Sequence, residues 1–147
     1  MKHELAELLE RGVGGVYRYH GNFPADKMQA AVEHGIHPAA IELARVRDKN
    51  AFLKTAANAL LFPDYFGHNW DAFYDCLLEL ENRQEKGALL CLRDTSGFAR
   101  AEPEEFATAI DALREAVEYW NERQKILLVV TELEAPILAP ELPELSS

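Results

Sequence analysis

Three acidic side chains recur at a spacing that places them on one side of a helix. Within residues 70–81, Asp71, Asp75 and Glu79 follow one another at i, i+4 and i+8. At about 100° per residue, this spacing stacks the carboxylates on a single face. Such acids can bind a divalent cation, act as an acid–base pair, or meet the cations of a basic protein. A solvated helix face is the fourth interpretation, and the helical wheel alone favours it. The opposite side carries apolar side chains, namely Trp70, Phe73, Tyr74, Leu77 and Leu80.

Strands and helices alternate on both sides of this acidic segment. Apolar runs predict strands near residues 14–19, 39–46, 88–92 and 126–130. Helical patterns predict helices over residues 4–11, 25–33, 70–81 and 103–121, a further helix between Asp48 or Asn50 and Pro63, and a loop over 93–101. Asn69 is a good cap for the acidic helix. Because helices of crossover length separate the strands, we predict a three-layer α/β fold whose small parallel sheet of about four strands is covered by helices.

The chain has 147 residues, of which 48% are apolar, enough for one domain with a substantial core. We assign residues 1–133 to that domain. Residues 134–147 contain three prolines and are predicted to form a flexible tail. Strand order and oligomeric state do not follow from the pattern.

Charge and targeting signals narrow the class of partner. Asp and Glu number 25 against 15 Lys and Arg, for a formal net charge of −10. Such a surface repels nucleic acid and anionic membranes and attracts basic proteins. No secretory leader or membrane-spanning run is predicted, and Cys76 and Cys91 lie in apolar stretches that favour buried free thiols. A cytoplasmic protein is therefore expected.

The acids belong to a dense motif. Residues 63–77 read Pro-Asp-Tyr-Phe-Gly-His-Asn-Trp-Asp-Ala-Phe-Tyr-Asp-Cys-Leu. This segment resembles the signature of the barstar family, in which a Pro-acid-Tyr-aromatic-Gly turn leads into Asn-x-Asp-Ala-x-aromatic-Asp-Cys-Leu. The order strand–helix–helix–strand–helix–strand over residues 39–131 is also similar to that family. The strand and helix before residue 39 extend beyond it.

The resemblance implies a function. In that family the acidic helix and the turn before it enter the active site of a basic ribonuclease, where carboxylates take the places of RNA phosphates. By resemblance, Asp75 is the central carboxylate, Asp71 a second acid, and Glu115 a peripheral acid on the later helix. The rest of the implied contact surface comprises Tyr65, Gly67, Asn69, Tyr74 and Glu79. We expect Glu81 to be a further acid at the rim, and no catalytic residue, metal or cofactor is expected.

This chain departs from the family's pattern at the rim. Tyr74 stands where the family has an interface Trp, and Glu79 and Leu80 stand where it has Gly and Trp. His68 replaces the turn acid after the glycine. The alternative function is therefore an immunity or interaction module of the same fold, directed at a different basic toxin or partner.

Two other kinds of site are disfavoured. An enzyme built on Asp71 and Asp75 lacks a supporting base, a lysine or a phosphate-binding glycine loop. A zinc site at His34 and His37 lacks a further adjacent ligand.

Overall fold

The chain folds around a parallel sheet, and the computed structural model describes residues 2–63 and 68–146 of it. Six strands lie in the order β1-β6-β2-β5-β4-β3, with every pairing between described strands parallel. They are β1 (Lys2–His3), β2 (Gly15–Tyr19), β3 (Ile36–Glu42), β4 (Gly87–Arg93), β5 (Ile126–Glu132) and β6 (Glu144–Leu145). The predicted α/β class with a parallel sheet is confirmed, but the sheet has six strands rather than about four.

Helices cover both faces of the sheet and make the predicted three layers. Two helices, α1 (Leu5–Arg11) and α2 (Ala25–Glu33), pack on one face. The other face is covered by α3 (Lys49–Ala59), α4 (Trp70–Leu80), α5 (Ser96–Ala101) and α6 (Pro103–Glu122). Because side chains alternate along a strand, Leu90 and Leu92 enter one core while Leu89 and Cys91 enter the other. None of the described helices is both long and apolar enough to span a membrane.

The structure shifts the bounds of one predicted strand and places a helix in one predicted loop. The second predicted strand, residues 39–46, lies earlier in the structure as Ile36–Glu42. Pro38 lies within β3, which among the described strands pairs with β4 alone and forms an edge of the sheet, where a missing N–H is tolerated. The loop predicted over 93–101 contains the short helix α5, which buries Phe98 and Ala99 despite the weak helix former Gly97.

The C-terminal segment also differs from the predicted flexible tail. It makes a 3₁₀ turn at Pro136–Leu138 and then adds β6 to the sheet between β1 and β2. Three of its apolar side chains are buried, and they are Ala139, Leu142 and Leu145. Arg18 donates to the carbonyl oxygen of Leu142 and pairs with Glu144. The prolines suggested a loose chain, but they fall in the turn and just before the strand, where no ladder N–H is lost.

Candidate functional site

The acidic helix α4 begins at the residue that the sequence predicts. Asn69 has extended backbone geometry, and its Oδ1 accepts a hydrogen bond from the N–H of Ala72 at 2.8 Å. Asp71 lies in the first turn, where a carboxylate complements the positive end of the helix dipole. The start of the helix is therefore fixed by its own cap.

Two tryptophans attach α4 to α6. The buried Trp120 donates from Nε1 to the carbonyl oxygen of Leu77 at 3.1 Å, near the middle of α4. At the start of the helix, Trp70 Nε1 donates to Glu105 Oε2 at 2.8 Å, and Lys49 Nζ lies 5.9 Å from the Trp70 ring centroid. These contacts and the buried side chains Phe73, Cys76, Leu77 and Leu80 hold α4 in one position against the core.

The outer side of α4 carries the three stacked acids. Asp71, Asp75 and Glu79 are all exposed, as the helical wheel predicts. Within the described residues, no ion pair or hydrogen bond involves any of their side-chain carboxylates. Like charges at i, i+4 destabilise a helix by roughly 0.2–0.5 kcal/mol per pair. Apart from the helix dipole at Asp71, the fold thus tolerates a local repulsion that no ion pair among the described residues relieves.

Acidic side chains of helix α6 extend the negatively charged surface beyond α4. Tyr74 is half-buried, and its pKa is raised by burial first and then by the nearby acids Glu115, Asp75 and Glu118, together with Tyr119. Glu115 is exposed, and the structure brings it to the same surface as Asp75. We call the exposed side chains of Asp71, Asp75, Glu79, Glu115 and Glu118 the acidic face.

Sequence reasoning missed Glu118 and Tyr119. The signal was present, because Glu118 follows Glu115 at i+3 and so lies on the same side of α6. Only the packing of α6 on α4 shows that this side adjoins Tyr74, since Trp120 and Leu77 fix the rotation of one helix against the other.

Glu81 is not the rim acid that the sequence suggested. Its side chain is 2% exposed and forms ion pairs with Arg123 and Lys125, and Lys125 Nζ also donates to the Glu81 carbonyl oxygen at 3.1 Å. Burial alone raises the pKa of this carboxyl, but hydrogen bonds from Lys125 and Arg123 outweigh that effect, so the pKa is lowered. Glu81 therefore holds the end of α4 against the short segment that joins α6 to β5.

Both cysteines are buried free thiols, as predicted. Cys76 lies on α4, and burial, followed by the charges of Glu79 and Asp75, raises its pKa. Cys91 lies within β4, where burial first and then the nearby Glu132 raise its pKa to about 12. Neither thiol is therefore set up as a nucleophile at neutral pH.

Two predicted contact residues, Tyr65 and Gly67, lie outside the described residues. His68 and Asn69 follow them directly, and both are exposed. Within residues 2–63 and 68–146, no group of three or more His, Cys, Asp or Glu side chains could hold a metal ion. Of the two histidines weighed for zinc, the exposed His34 has its Nδ1 3.0 Å from the carbonyl oxygen of Ala30 in its own helix.

Comparison with known proteins gives the family. The family described as Barstar (barnase inhibitor) matches residues 36–132, which is more than half of the chain. The chain therefore belongs to the barstar family. No curated protein matches the sequence. A chain in "Structure of Drosophila ORC bound to DNA" superposes with a TM-score of 0.45 at 13% identity, covering 91% of this chain and 75% of that one. That likeness is too low to support a functional argument.

Proposed function

We propose that this protein inhibits a basic ribonuclease by placing the acidic face and the segment that precedes α4 in the enzyme's active site. The single observation that carries the proposal is the row of exposed carboxylates, paired with no cation among the described residues, on a helix that two tryptophan hydrogen bonds hold in place. Membership of a family described as barnase inhibitors supports it. The inhibitor acts in the cytoplasm and performs no catalysis itself.

Charge gives the first step of the mechanism. A ribonuclease cleft is cationic because it holds phosphates, and an acidic protein with a net charge of −10 is drawn to it. Opposite charges speed association and fix the orientation of the two surfaces. Because α4 is held by its cap and by α6, the carboxylates reach the cleft already in position, so little conformational entropy is lost on binding.

Desolvation gives the second step. Asp75 lies between Asp71 and Glu79, so the partner covers it from both sides while the outer acids keep part of their water. A carboxylate enclosed by guanidinium groups forms short, charge-assisted hydrogen bonds. Removing it would leave the partner's cations buried and unpaired, which makes Asp75 the dominant contact and Asp71 the second. Glu115, on the neighbouring helix, remains partly hydrated and contributes less.

The test uses barnase, the ribonuclease that the family description names. We expect the wild-type protein to block RNA cleavage by barnase at a one-to-one ratio, and Asp75→Asn to weaken inhibition by at least roughly 30-fold. Glu33→Gln is the matched control, because Glu33 is an exposed acid on α2, against the other face of the sheet. Equal inhibition by wild type and Asp75→Asn would show that the acidic face is only a solvated surface.

The side chains at the rim of the implied contact surface support a second candidate function. Tyr74, Glu79 and Leu80 replace side chains typical of the family's contact surface, while the central acids are kept. A module of the same fold could therefore bind a different basic toxin through Asp75. Failure to inhibit barnase, together with Asp75-dependent binding of a basic toxin domain that is not a ribonuclease, would favour this candidate.

A further inference from the structure

An exposed leucine stands in an unusual backbone conformation at the end of α3. Leu61 is 75% exposed and has φ of 56°, in the left-handed region that favours glycine. The N–H of Phe62 bonds to the carbonyl oxygen of Ala57, so Leu61 occupies the position after a helix cap where glycine is most common. Neither the backbone nor burial explains a leucine there. Strained, exposed positions of this kind cluster at functional surfaces.

Two grooves that share Leu61 in their lining open beside α4. One, of about 450 Å³, lies between the end of α3 and the end of α4 and is lined by Phe62, Pro63, Leu80 and Glu79 among others. The second, of about 240 Å³, lies between the same helix ends and the edge strand β3. Leu61 and Leu80 line both grooves. The two grooves therefore adjoin along a shared wall of Leu61, Leu80 and Arg83, and together we call them the Leu61 groove.

The Leu61 groove is continuous with the acidic face. Glu79 is the last of the three stacked acids of α4 and also lines the larger groove, and Cys76, next to Asp75 in the helix, lines it too. Arg83 lines both grooves, and its guanidinium donates to the carbonyl oxygen of Leu60 at 2.8 Å. A partner that covers the acidic face therefore reaches the groove where Glu79 lines it.

We propose that the Leu61 groove binds an aromatic side chain that the basic partner presents beside its cations. This inference rests on the proposed function and adds an apolar anchor to its charged centre. The occupant is a cationic protein rather than a second copy of this chain, because two copies with a net charge of −10 would bring their acidic faces together. Aromatic side chains that fill a groove beside charged contacts are enriched among the residues that carry most of the binding energy of an interface.

Two short peptides test the groove without knowledge of the partner. Acetyl-Lys-Trp-Lys-Lys-amide and acetyl-Lys-Ala-Lys-Lys-amide carry the same charge, so the ratio of their affinities measures the aromatic contribution. In NMR titrations of the isotope-labelled protein, we expect the Trp peptide to bind about tenfold more tightly and to shift the amides of Leu61, Leu80 and Gln84. Leu61→Gly should bring the ratio close to one.

The controls separate this inference from the proposed function. Glycine suits a positive φ, so Leu61→Gly should keep its denaturation midpoint. Ile137→Gly removes another exposed apolar side chain, 81% exposed and not part of either groove, and should keep the tenfold ratio. Asp75→Asn should weaken both peptides equally. Equal affinity of the two peptides for wild type, or a ratio that Leu61→Gly leaves unchanged, would overturn the groove, whereas failure of the inhibitor function is read from barnase alone.

Discussion

Asp75 and Glu81 lie six residues apart, and their carboxylates have opposite environments. Asp75 is exposed, and no cation of the described residues pairs with it. Glu81 is buried and pairs with both Arg123 and Lys125. A buried carboxylate is stable only when cations and hydrogen bonds replace its lost water, and Glu81 has both. Asp75 retains its water and is therefore free to exchange it for an external cation.

The difference indicates where stability and binding lie in this region. Substitution of a paired, buried acid should act on the free energy of unfolding, while substitution of an unpaired, exposed acid should act on affinity. A variant of Asp75 therefore serves as the control for a variant of Glu81, and the reverse.

The largest effect is expected for Asp75→Ala. The affinity for a basic ribonuclease that the protein inhibits should fall by about 2 kcal/mol or more, roughly 30-fold, mainly through faster dissociation. The denaturation midpoint should not fall, because removing the central one of three stacked charges relieves repulsion. Binding kinetics and chemical denaturation of the same two samples measure both quantities. A collapsed midpoint would make Asp75 a structural residue and remove the contrast with Glu81.

Glu81→Gln should show the reverse pattern. Glutamine keeps the shape but removes the charge that Arg123 and Lys125 share. Loss of one partner from a buried pair costs about 3–5 kcal/mol, and because both cations here reach solvent we expect about 2 kcal/mol. Affinity for the ribonuclease should be unchanged. Glu85→Gln is the control, since Glu85 is an exposed acid nearby and should change stability by at most about 0.5 kcal/mol.

The contrast between these two acids also shows which features of the site can be predicted from the sequence and which cannot. Periodicity placed Asp71, Asp75 and Glu79 correctly on the exposed side of α4, because amphipathic spacing reports burial within one helix. It did not place Glu81, whose burial depends on cations about 42 residues further along the chain. Pairing between distant residues leaves no periodic signal.

The same reasoning explains the errors in the fold. The buried strands β4 and β5 were predicted within one or two residues because they form continuous apolar runs. The short strands β1 and β6 have two residues each, and their pairing is set by the register Lys2↔Glu144 and His3↔Leu145, which joins opposite ends of the chain. Such short strands carry no pattern of their own, so the sheet was expected to have four strands.

The pH dependence of the unfolding free energy tests the same comparison between Asp75 and Glu81. The expected effect is smaller. The pKa of Glu81 is lowered in the folded protein, so its charge stabilises the fold above the ordinary Glu pKa of about 4.3, and this contribution is lost as the pH falls through the lowered value. The difference in unfolding free energy between wild type and Glu81→Gln should be constant near pH 6–7 and shrink below about pH 4. A difference that grows with acidity would contradict the ion-pair assignment.

The smallest effect is expected at Glu115, and it can be measured without any partner. Glu115 is the first of the charged groups that raise the pKa of Tyr74, after burial itself. Glu115→Gln should therefore lower the pKa of Tyr74, observed as a shifted titration of its ring carbon signals by NMR, while Glu33→Gln on the other face of the sheet should leave it unchanged. Because Glu115 is exposed and peripheral, its removal should cost only about 0.2–1 kcal/mol of affinity for the ribonuclease. If Tyr74 titrates identically in wild type and Glu115→Gln, α6 does not extend the acidic face of α4, and the binding surface reduces to Asp71, Asp75 and Glu79. If Glu115→Gln costs as much affinity as Asp75→Ala, the centre of the interface lies between the two helices rather than on α4.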